Sequence, residues 1–414
     1  MGLEATPGEA GRAFVLKLGR LLHAYGYPSH RLESALEAVS RRLGLEAQFF
    51  SMPTALFASF GAGDEQRTFQ IRIEPGEVDL RRLALLDQVT AGVARGELAP
   101  AAGSTRLDAI VAAPPLFGRL PTTLSFALAS GAASRFFGGG VREVVAAAAI
   151  GLVLGLLALA AERFRGLGRI FDPLAATAAA FLATLVAATS GTVSAYIVTL
   201  AGLILLVPGL SLTTAMTELA MRHLMSGTAR FAGTCGTFLT IGFGVALGTR
   251  LGQHVAGSPP VVEPVPLPGW TAWAALVLAP LAFTVLLKAE PRDAPFIVVA
   301  AALAFGGARL GARTLGPELG AFAGALLVGL GSSAYSRALA RPAAVTLVPG
   351  ILLLVPGSIG FRSLSSLLQR DTLVGVESAF LMTLVAISIV TGLLFASALL
   401  PERELDAAVG SPLR

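Results

Sequence analysis

Two proline–glycine pairs lie inside apolar segments, at Pro208-Gly209 and Pro356-Gly357. Proline removes one backbone donor and clashes with the preceding helical turn, and glycine tolerates the altered dihedral angles. A helix that breaks at such a pair frees N–H and carbonyl groups, which can hydrogen-bond a polar solute inside a membrane. We therefore predict that both pairs, together with Ser358, bind substrate. The alternative is that they mark ordinary helix ends or kinks.

Polar side chains follow the first pair at helical spacing. Thr214, Glu218 and Arg222 lie at positions i, i+4 and i+8, and therefore on one face of a helix. This spacing predicts an ion pair between Glu218 and Arg222. If the face lines a vestibule, the hydroxyl groups of Ser211, Thr213 and Thr214 contact the substrate, and Glu218 binds a proton or an ammonium group. The alternative is an amphipathic helix at the membrane interface.

Two further residues are candidates for proton coupling. Glu377 lies in the apolar run 372–399, where a carboxylate costs about 2.5–3.5 kcal/mol, so we expect it to face a cavity or a partner. Buried carboxyl groups exchange protons near neutral pH, which makes Glu377 the leading candidate. The alternative is a position at the end of the span, within reach of Arg370 or water. His223 is the second candidate, because histidine also titrates near neutral pH, and a passive interfacial histidine is its alternative.

Membrane-spanning helices must position these residues. The chain is 54% hydrophobic and 14% charged, whereas soluble domains carry about 25% charged residues. Apolar segments near the roughly 20 residues that cross a bilayer predict about ten spans. The predicted spans are 120–137, 142–161, 173–189, 192–208, 231–250, 270–288, 294–311, 318–335, 343–361 and 372–399. The segment 212–229 between the fourth and fifth spans is amphipathic.

Ahead of the spans, residues 1–115 predict a small soluble α+β domain. Apolar periodicity and turn signals divide it into helices and short strands. The predicted elements are helices near 14–22, 28–42, 79–95 and 101–112 and strands at 46–51, 54–60 and 67–74. Residues 1–13 lack the apolar core of a signal peptide, so we expect this domain to stay in the cytoplasm.

An internal repeat relates the two halves of the membrane part. Leu200–Gly209 (LAGLILLVPG) and Val348–Gly357 (VPGILLLVPG) are identical at six of ten positions, with an offset of 148 residues (356 − 208). The offset predicts two five-helix repeats, over 119–255 and 268–400. Five is odd, so the second copy enters the membrane upside down, as in many secondary transporters. The predicted fold is an all-α polytopic membrane protein, a 5+5 inverted repeat after a soluble α+β domain.

Two stretches resemble the threonine/serine exporter family. They are 19–60 (GRLLHAYGYPSHRLESALEAVSRRLGLEAQFFSMPTALFASF) and 207–248 (VPGLSLTTAMTELAMRHLMSGTARFAGTCGTFLTIGFGVALG). The resemblance implies an N-terminal exporter module fused to a smaller C-terminal module. It also implies export of small hydrophilic metabolites, most directly threonine and serine, driven by the proton motive force. Split relatives are associated with dicarboxylate (succinate-type) export, which is the alternative substrate class.

Composition and motifs exclude other functions. The net charge is +5, but no basic cluster is interleaved with exposed aromatic residues, so we expect no nucleic acid partner. His23, His30 and His254 have no partners at ligand spacing, and we predict no metal and no cofactor. The soluble domain has no nucleophile elbow or phosphate loop, so we predict no enzyme, with a membrane-tethered hydrolase as the less favoured alternative.

The remaining expectations concern surroundings and partners. We expect a multi-pass protein of the inner (plasma) membrane with a cytoplasmic N-terminus, because basic residues are modestly more frequent in the loops that this orientation places inside. The expected partners are a small polar metabolite and membrane lipid. Homo-oligomerisation, the solute, and proton symport or antiport are left open by the sequence.

Overall fold

A computed structural model describes the chain over residues 7–74 and 76–401. The described part is mostly helical, with one small sheet near its start. Residues 1–6, which belong to the expected N-terminal domain, lie outside the described residues, as does Pro75.

Helices surround a sheet in the N-terminal part, as the sequence pattern predicts. The elements are α1 (Pro7–Ala24), α2 (Ser29–Arg42), β1 (Ala47–Met52), β2 (Ala55–Phe60), β3 (Arg67–Arg72), α3 (Leu80–Ala94) and α4 (Pro100–Ala112). The strands form an antiparallel sheet in the order β1-β2-β3. Phe14 and Leu18 of α1, Leu32 and Leu36 of α2 and Leu56 of β2 are fully buried in one core.

The third strand is less buried than its sequence predicts. β3 pairs with β2 at the edge of the sheet, and Phe69 is 39% exposed. Ile73, just beyond the strand, belongs to the core. Phe69, Ile71 and Ile73 alternate with polar residues, a pattern that predicts a half-buried strand. The strand is present but mostly exposed, because an edge strand lacks a second strand neighbour in the described sheet.

The membrane part is a series of helices joined by short turns. Its first half contains α5 (Arg119–Phe136), α6 (Val141–Arg163), α7 (Arg165–Arg169), α8 (Phe171–Ser190), α9 (Ala195–Gly202), α10 (Gly209–Ala220) and α11 (Leu224–Ala256). Its second half contains α12 (Trp270–Leu286), α13 (Ala294–Leu315), α14 (Pro317–Leu339), α15 (Ala344–Ile351), α16 (Gly357–Leu368) and α17 (Thr372–Leu399). We call 119–256 the first half and 270–399 the second half.

Six helices of the described part are long and apolar enough to cross a membrane. They are Val141–Arg163, Phe171–Ser190, Leu224–Ala256, Pro291–Thr314, Leu319–Leu339 and Thr372–Leu399. Trp270–Leu286 is apolar but shorter. The chain is therefore a multi-pass membrane protein, with fewer long uninterrupted spans than the ten that the sequence predicts.

Two of the predicted spans are broken rather than continuous. The segment 192–208 is helical only in α9, and the segment 343–361 is divided between α15 and α16. Pro208 and Pro356 are the N-cap residues of α10 and α16, with φ/ψ of −80°/48° and −79°/26°. Each break spans several residues and ends at a proline–glycine pair, where the next helix begins directly after the proline.

The two halves share local geometry at the offset of 148 residues. Arg222 and Arg370 both adopt the left-handed conformation, with φ of 66° and 65°. In each half the helix that follows packs a glycine on a leucine of the preceding half-helix. These pairs are Gly227 on Leu219 and Gly375 on Leu367. The equivalent chain reversals therefore repeat in packing as well as in sequence.

The first helices of the two halves pack against each other. Alanines of α5 and α12, among them Ala129, Ala132, Ala275 and Ala279, belong to one buried cluster. Arg135 at the end of α5 donates a hydrogen bond of 2.6 Å from Nε to the Thr271 hydroxyl at the start of α12. Small side chains let the helices approach closely, as is common between membrane helices.

Candidate functional site

The two proline–glycine pairs meet in the folded chain. A Cβ atom built on Gly209 would lie 3.1 Å from the backbone nitrogen of Gly357 and 2.9 Å from Val355 Cγ2. A Cβ atom built on Gly357 would lie 3.5 Å from the Cα of Gly209 and 2.8 Å from Val207 Cγ1. Each glycine therefore packs on the other break, and the absence of a side chain permits this approach.

Backbone carbonyl groups at both breaks lack hydrogen-bond partners. In the described part of the chain, no donor reaches the carbonyl oxygens of Leu205 and Leu206, or those of Leu353 and Leu354. The two leucine pairs are related by the offset of 148 residues. Each break also begins a new helix, whose first N–H groups have no partner within that helix. The breaks thus offer acceptors and donors close to one another.

The predicted hydroxyl groups differ in their availability. Thr213 is buried and donates a 3.1 Å hydrogen bond to the Gly209 carbonyl, and Thr214 donates one of 2.9 Å to the Leu210 carbonyl. Ser211 is exposed and Ser358 is half-buried. The threonine hydroxyl protons are thus engaged by their own helix, and the two serines stay available to a solute.

Glu218 lies at the end of α10, where its fully buried carboxylate is the centre of an ionic cluster. Its carboxylate accepts hydrogen bonds from Arg230 Nε (3.0 Å) and Nη2 (3.1 Å). The Ser226 hydroxyl donates to the same carboxylate over 3.0 Å, and the Ser29 backbone N–H over 3.1 Å. Four donors and a paired cation favour the ionised carboxylate. Its assignment to proton coupling stays a prediction, and its contacts resemble those of a fixed charge.

The predicted ion pair between Glu218 and Arg222 is wrong. α10 ends at Ala220, and Arg222 adopts a left-handed conformation in the turn before α11. The segment 212–229 is consequently divided between two helices, so the i, i+4 spacing no longer brings the side chains together. Arg230, the observed partner, comes from the following helix and was not predicted from the sequence.

His223 caps the start of α11 and faces the N-terminal domain. Its Nδ1 lies 3.5 Å from Glu33 Oε2, and its ring lies 6.1 Å from that of His30. Burial raises the pKa of Glu33, and the Ser51 N–H bonded to its carboxylate opposes this. Burial and the nearby charge of Arg31 lower the pKa of His30 to about 4. His223 is therefore part of a domain contact.

A second ionic cluster, not predicted from the sequence, lies at the start of α13. Arg341, just before α15, pairs with Glu290 over 2.6 Å and with the buried Asp293. The Tyr335 hydroxyl donates a 3.0 Å hydrogen bond to Asp293. The cluster fixes the chain just before the second broken helix. In the sequence, this cluster is visible only as acidic residues before α13 and an arginine before α15.

Glu377 lies in the second turn of α17 with an exposed side chain. Among the described residues it has no hydrogen-bond or ion-pair partner. It is not near the proline–glycine pairs in the chain, and its role in proton coupling stays a prediction. In the same part of the chain, no group of three histidine, cysteine or acidic residues could hold a metal ion.

Ser51 and His23 form a serine–histidine pair among the described residues of the N-terminal part. Ser51 Oγ lies 3.3 Å from His23 Nδ1, and His23 Nε2 lies 3.0 Å from the Pro53 carbonyl oxygen. Donation to Pro53 would leave Nδ1 as a base toward Ser51. Ser51 and His23 are only 2% and 5% exposed. A substrate therefore has no access to the serine in this arrangement.

Long apolar helices, together with two broken helices that meet at their breaks, define a polytopic membrane protein. The family model described as "Putative threonine/serine exporter" matches residues 13–252, and a second, "Threonine/Serine exporter", matches 272–399. The chain belongs to the threonine/serine exporter family. The resemblance of its N-terminal and C-terminal modules to that family is thereby confirmed.

Curated relatives come from fungi. The chain is 26% identical over 380 residues to "Pheromone-regulated membrane protein 10" of Eremothecium gossypii, covering 87% of this chain and 50% of the relative. It is 24% identical to the protein of that name from Saccharomyces cerevisiae, covering 88% and 49%. The chain thus spans about half the length of these relatives, and 37% of the one from Pichia sorbitophila. No solved structure matches the chain.

Proposed function

We propose that the chain is a secondary transporter that exports threonine, serine or similar small metabolites, with its substrate site at the two breaks. The contact of Gly209 with Gly357, flanked by unpaired carbonyl groups, is the observation that carries the proposal. Carbonyl oxygens bind an ammonium group, and the N-terminal ends of α10 and α16 attract a carboxylate. Both features together suit a zwitterionic amino acid.

An inverted repeat is part of the proposal. The N-terminal domain contacts α10 near its end, through Ser29 and Glu218, and α15 near its start, through Ala84 and Val345. The broken helix of the first half therefore runs toward the domain, and that of the second half runs away from it. Opposite directions are what two related copies have when one is inserted upside down.

Energisation by the proton motive force rests on Glu377 and His223, with Glu218 as the less favoured candidate. Glu377 has an exposed carboxyl group without a hydrogen-bond or ion-pair partner in the described part of the chain. His223 lies near Glu33, which places this candidate at the contact with the N-terminal domain.

Efflux from vesicles preloaded with labelled threonine, serine and succinate tests the function. We expect efflux of the two amino acids that a protonophore abolishes. A Glu377→Gln variant should lose the protonophore-sensitive part, while Glu263→Gln, an exposed carboxylate in the linker between the halves, should keep it. Efflux of succinate alone would favour a dicarboxylate exporter, and efflux of none of the three would contradict the proposal.

The membrane-tethered hydrolase is less favoured. The serine–histidine pair of Ser51 and His23 is buried, and hydrolysis requires a nucleophile that the substrate can reach. The family also consists of exporters. Ester hydrolysis by the purified protein that disappears in a Ser51→Ala variant would revive this alternative.

A further inference from the structure

The N-terminal domain is joined to the second half of the membrane part by apolar and backbone contacts. Ala289 and Ile297 are fully buried in the core of the domain. The backbone N–H groups of Leu80 and Arg81 donate to the carbonyls of residues 287 and 288, over 3.0 and 3.2 Å. Separation here would expose a shared apolar core to water, which is costly.

The contact with the first half is polar instead. Ser29 donates its N–H to Glu218, and its hydroxyl lies 2.6 Å from the Ser226 hydroxyl. Glu33 lies 3.5 Å from His223. Among the described residues, none between 119 and 256 belongs to the apolar core of the domain. We call this set of polar contacts the Ser29 contact.

Separation of the Ser29 contact leaves its charges satisfied. Glu218 keeps both hydrogen bonds from Arg230 and the one from Ser226, all within the first half. Ser29 and Glu33 exchange their partners for water, at a small net cost per hydrogen bond. The first half therefore has a surface that is stable both with and without the domain.

We propose that the N-terminal domain moves as one body with the second half and releases the first half at the Ser29 contact during each transport cycle. The inference rests on the proposed function, because alternating access requires one half to move against the other. A domain that holds both halves on one side blocks that movement. The Ser29 contact is then an autoinhibitory contact, and its release permits export.

Reversible cross-linking tests the proposal in the full chain, after Cys235, its single cysteine, is replaced by serine. Cysteines replacing Ser29 and Ser226 should form a disulfide, because the native hydroxyl oxygens lie 2.6 Å apart. Oxidation should reduce efflux to background, and a reductant should restore it. The control pair, Ala84→Cys with Val345→Cys, joins the domain to the second half within one buried cluster and should export equally well in both states. Undiminished efflux from the oxidised Ser29–Ser226 pair would overturn the proposal.

Thiol labelling tests release without any transport assay. Ser226 and Val345 are each 1% exposed, and each contacts the domain, at Ser29 and in a cluster with Ala84. In single-cysteine variants, Ser226→Cys should react with a maleimide roughly tenfold faster or more than Val345→Cys, because only the Ser29 contact opens locally. Equal rates would contradict the proposal. If the parent protein exports none of the three solutes, the proposed function fails, and the labelling rates still decide whether the domain releases the first half.

Discussion

Gly209 and Gly357 pack backbone to backbone, each at the first residue of a helix that begins after a proline. The two residues are 148 positions apart in sequence and occupy equivalent places in the two halves. Their contact brings two sets of unpaired backbone groups to one place, as a substrate site between two broken helices requires. The absence of side chains is therefore a structural requirement of this contact.

A Gly209→Ala substitution should impair export. Its methyl group would meet the backbone nitrogen of Gly357 at 3.1 Å, so the breaks must move apart. Overpacking of this kind costs about 1–3 kcal/mol. Gly233→Ala is the control, because it is also a helical glycine of the first half and has open space around it. We expect efflux to fall several-fold in the first variant and to persist in the second, at equal amounts of membrane protein. Equal efflux from both would argue against the contact as a site.

Glu218 and Arg230 should prove energetically coupled. Glu218→Gln leaves a cation that is only 25% exposed without its partner, so we expect a loss of about 1–3 kcal/mol of stability. The double variant with Arg230→Gln should lose less than the sum of the two single variants. Thermal unfolding of the purified protein in detergent measures all three. Glu97→Gln, which removes an exposed ion pair with Arg95, should change nothing measurable. Strict additivity at Glu218 and Arg230 would contradict the coupling.

The features that were predictable from the sequence are those that depend on nearby residues alone. Proline and glycine act within a few residues of themselves, and hydrophobic runs must cross the bilayer, so the breaks and most spans follow from sequence. The partner of Glu218 depends instead on where the chain reverses between α10 and α11. Arg222, in the left-handed conformation, follows the end of the helix there. The periodic spacing of polar residues does not indicate this helix end.

Contacts between residues that are far apart in the sequence could not be predicted either. Ser29 lies 189 residues before Glu218, and Asp293 lies 48 residues before Arg341. Contacts at such separations are set by the packing of whole helices, whereas the sequence patterns used to predict elements extend over only about 11–18 residues. The ionic clusters that fix the two broken helices were therefore visible only as isolated charges.

Arg222 and Arg370 are predicted to be sites of stabilising substitution. A non-glycine residue in the left-handed conformation costs about 1 kcal/mol, which glycine avoids. Arg222→Gly and Arg370→Gly should therefore each raise the melting temperature. The alanine variants at the same positions lose the charge and keep the strained backbone, so they should not. Stabilisation by alanine as well as glycine would show that charge, rather than backbone strain, is the cause.

The half-buried His30 should make the protein less stable in mild acid. Burial lowers its pKa to about 4, below the ordinary value of 6.5. Between these values the unfolded chain binds the proton more readily than the folded chain, so stability falls as the pH decreases from 6.5 toward 4, by roughly 3 kcal/mol in full. Glu33, whose pKa is raised, acts in the opposite direction.

Substituting His30 isolates its contribution, because Glu33 and His23 are retained in every variant compared. A His30→Gln variant should lose less stability between pH 7.5 and pH 5 than the parent, when melting temperatures are measured in detergent. His254→Gln is the control, since His254 is exposed at the end of α11. If the parent and His30→Gln lost stability equally, the acid sensitivity would come from groups other than His30.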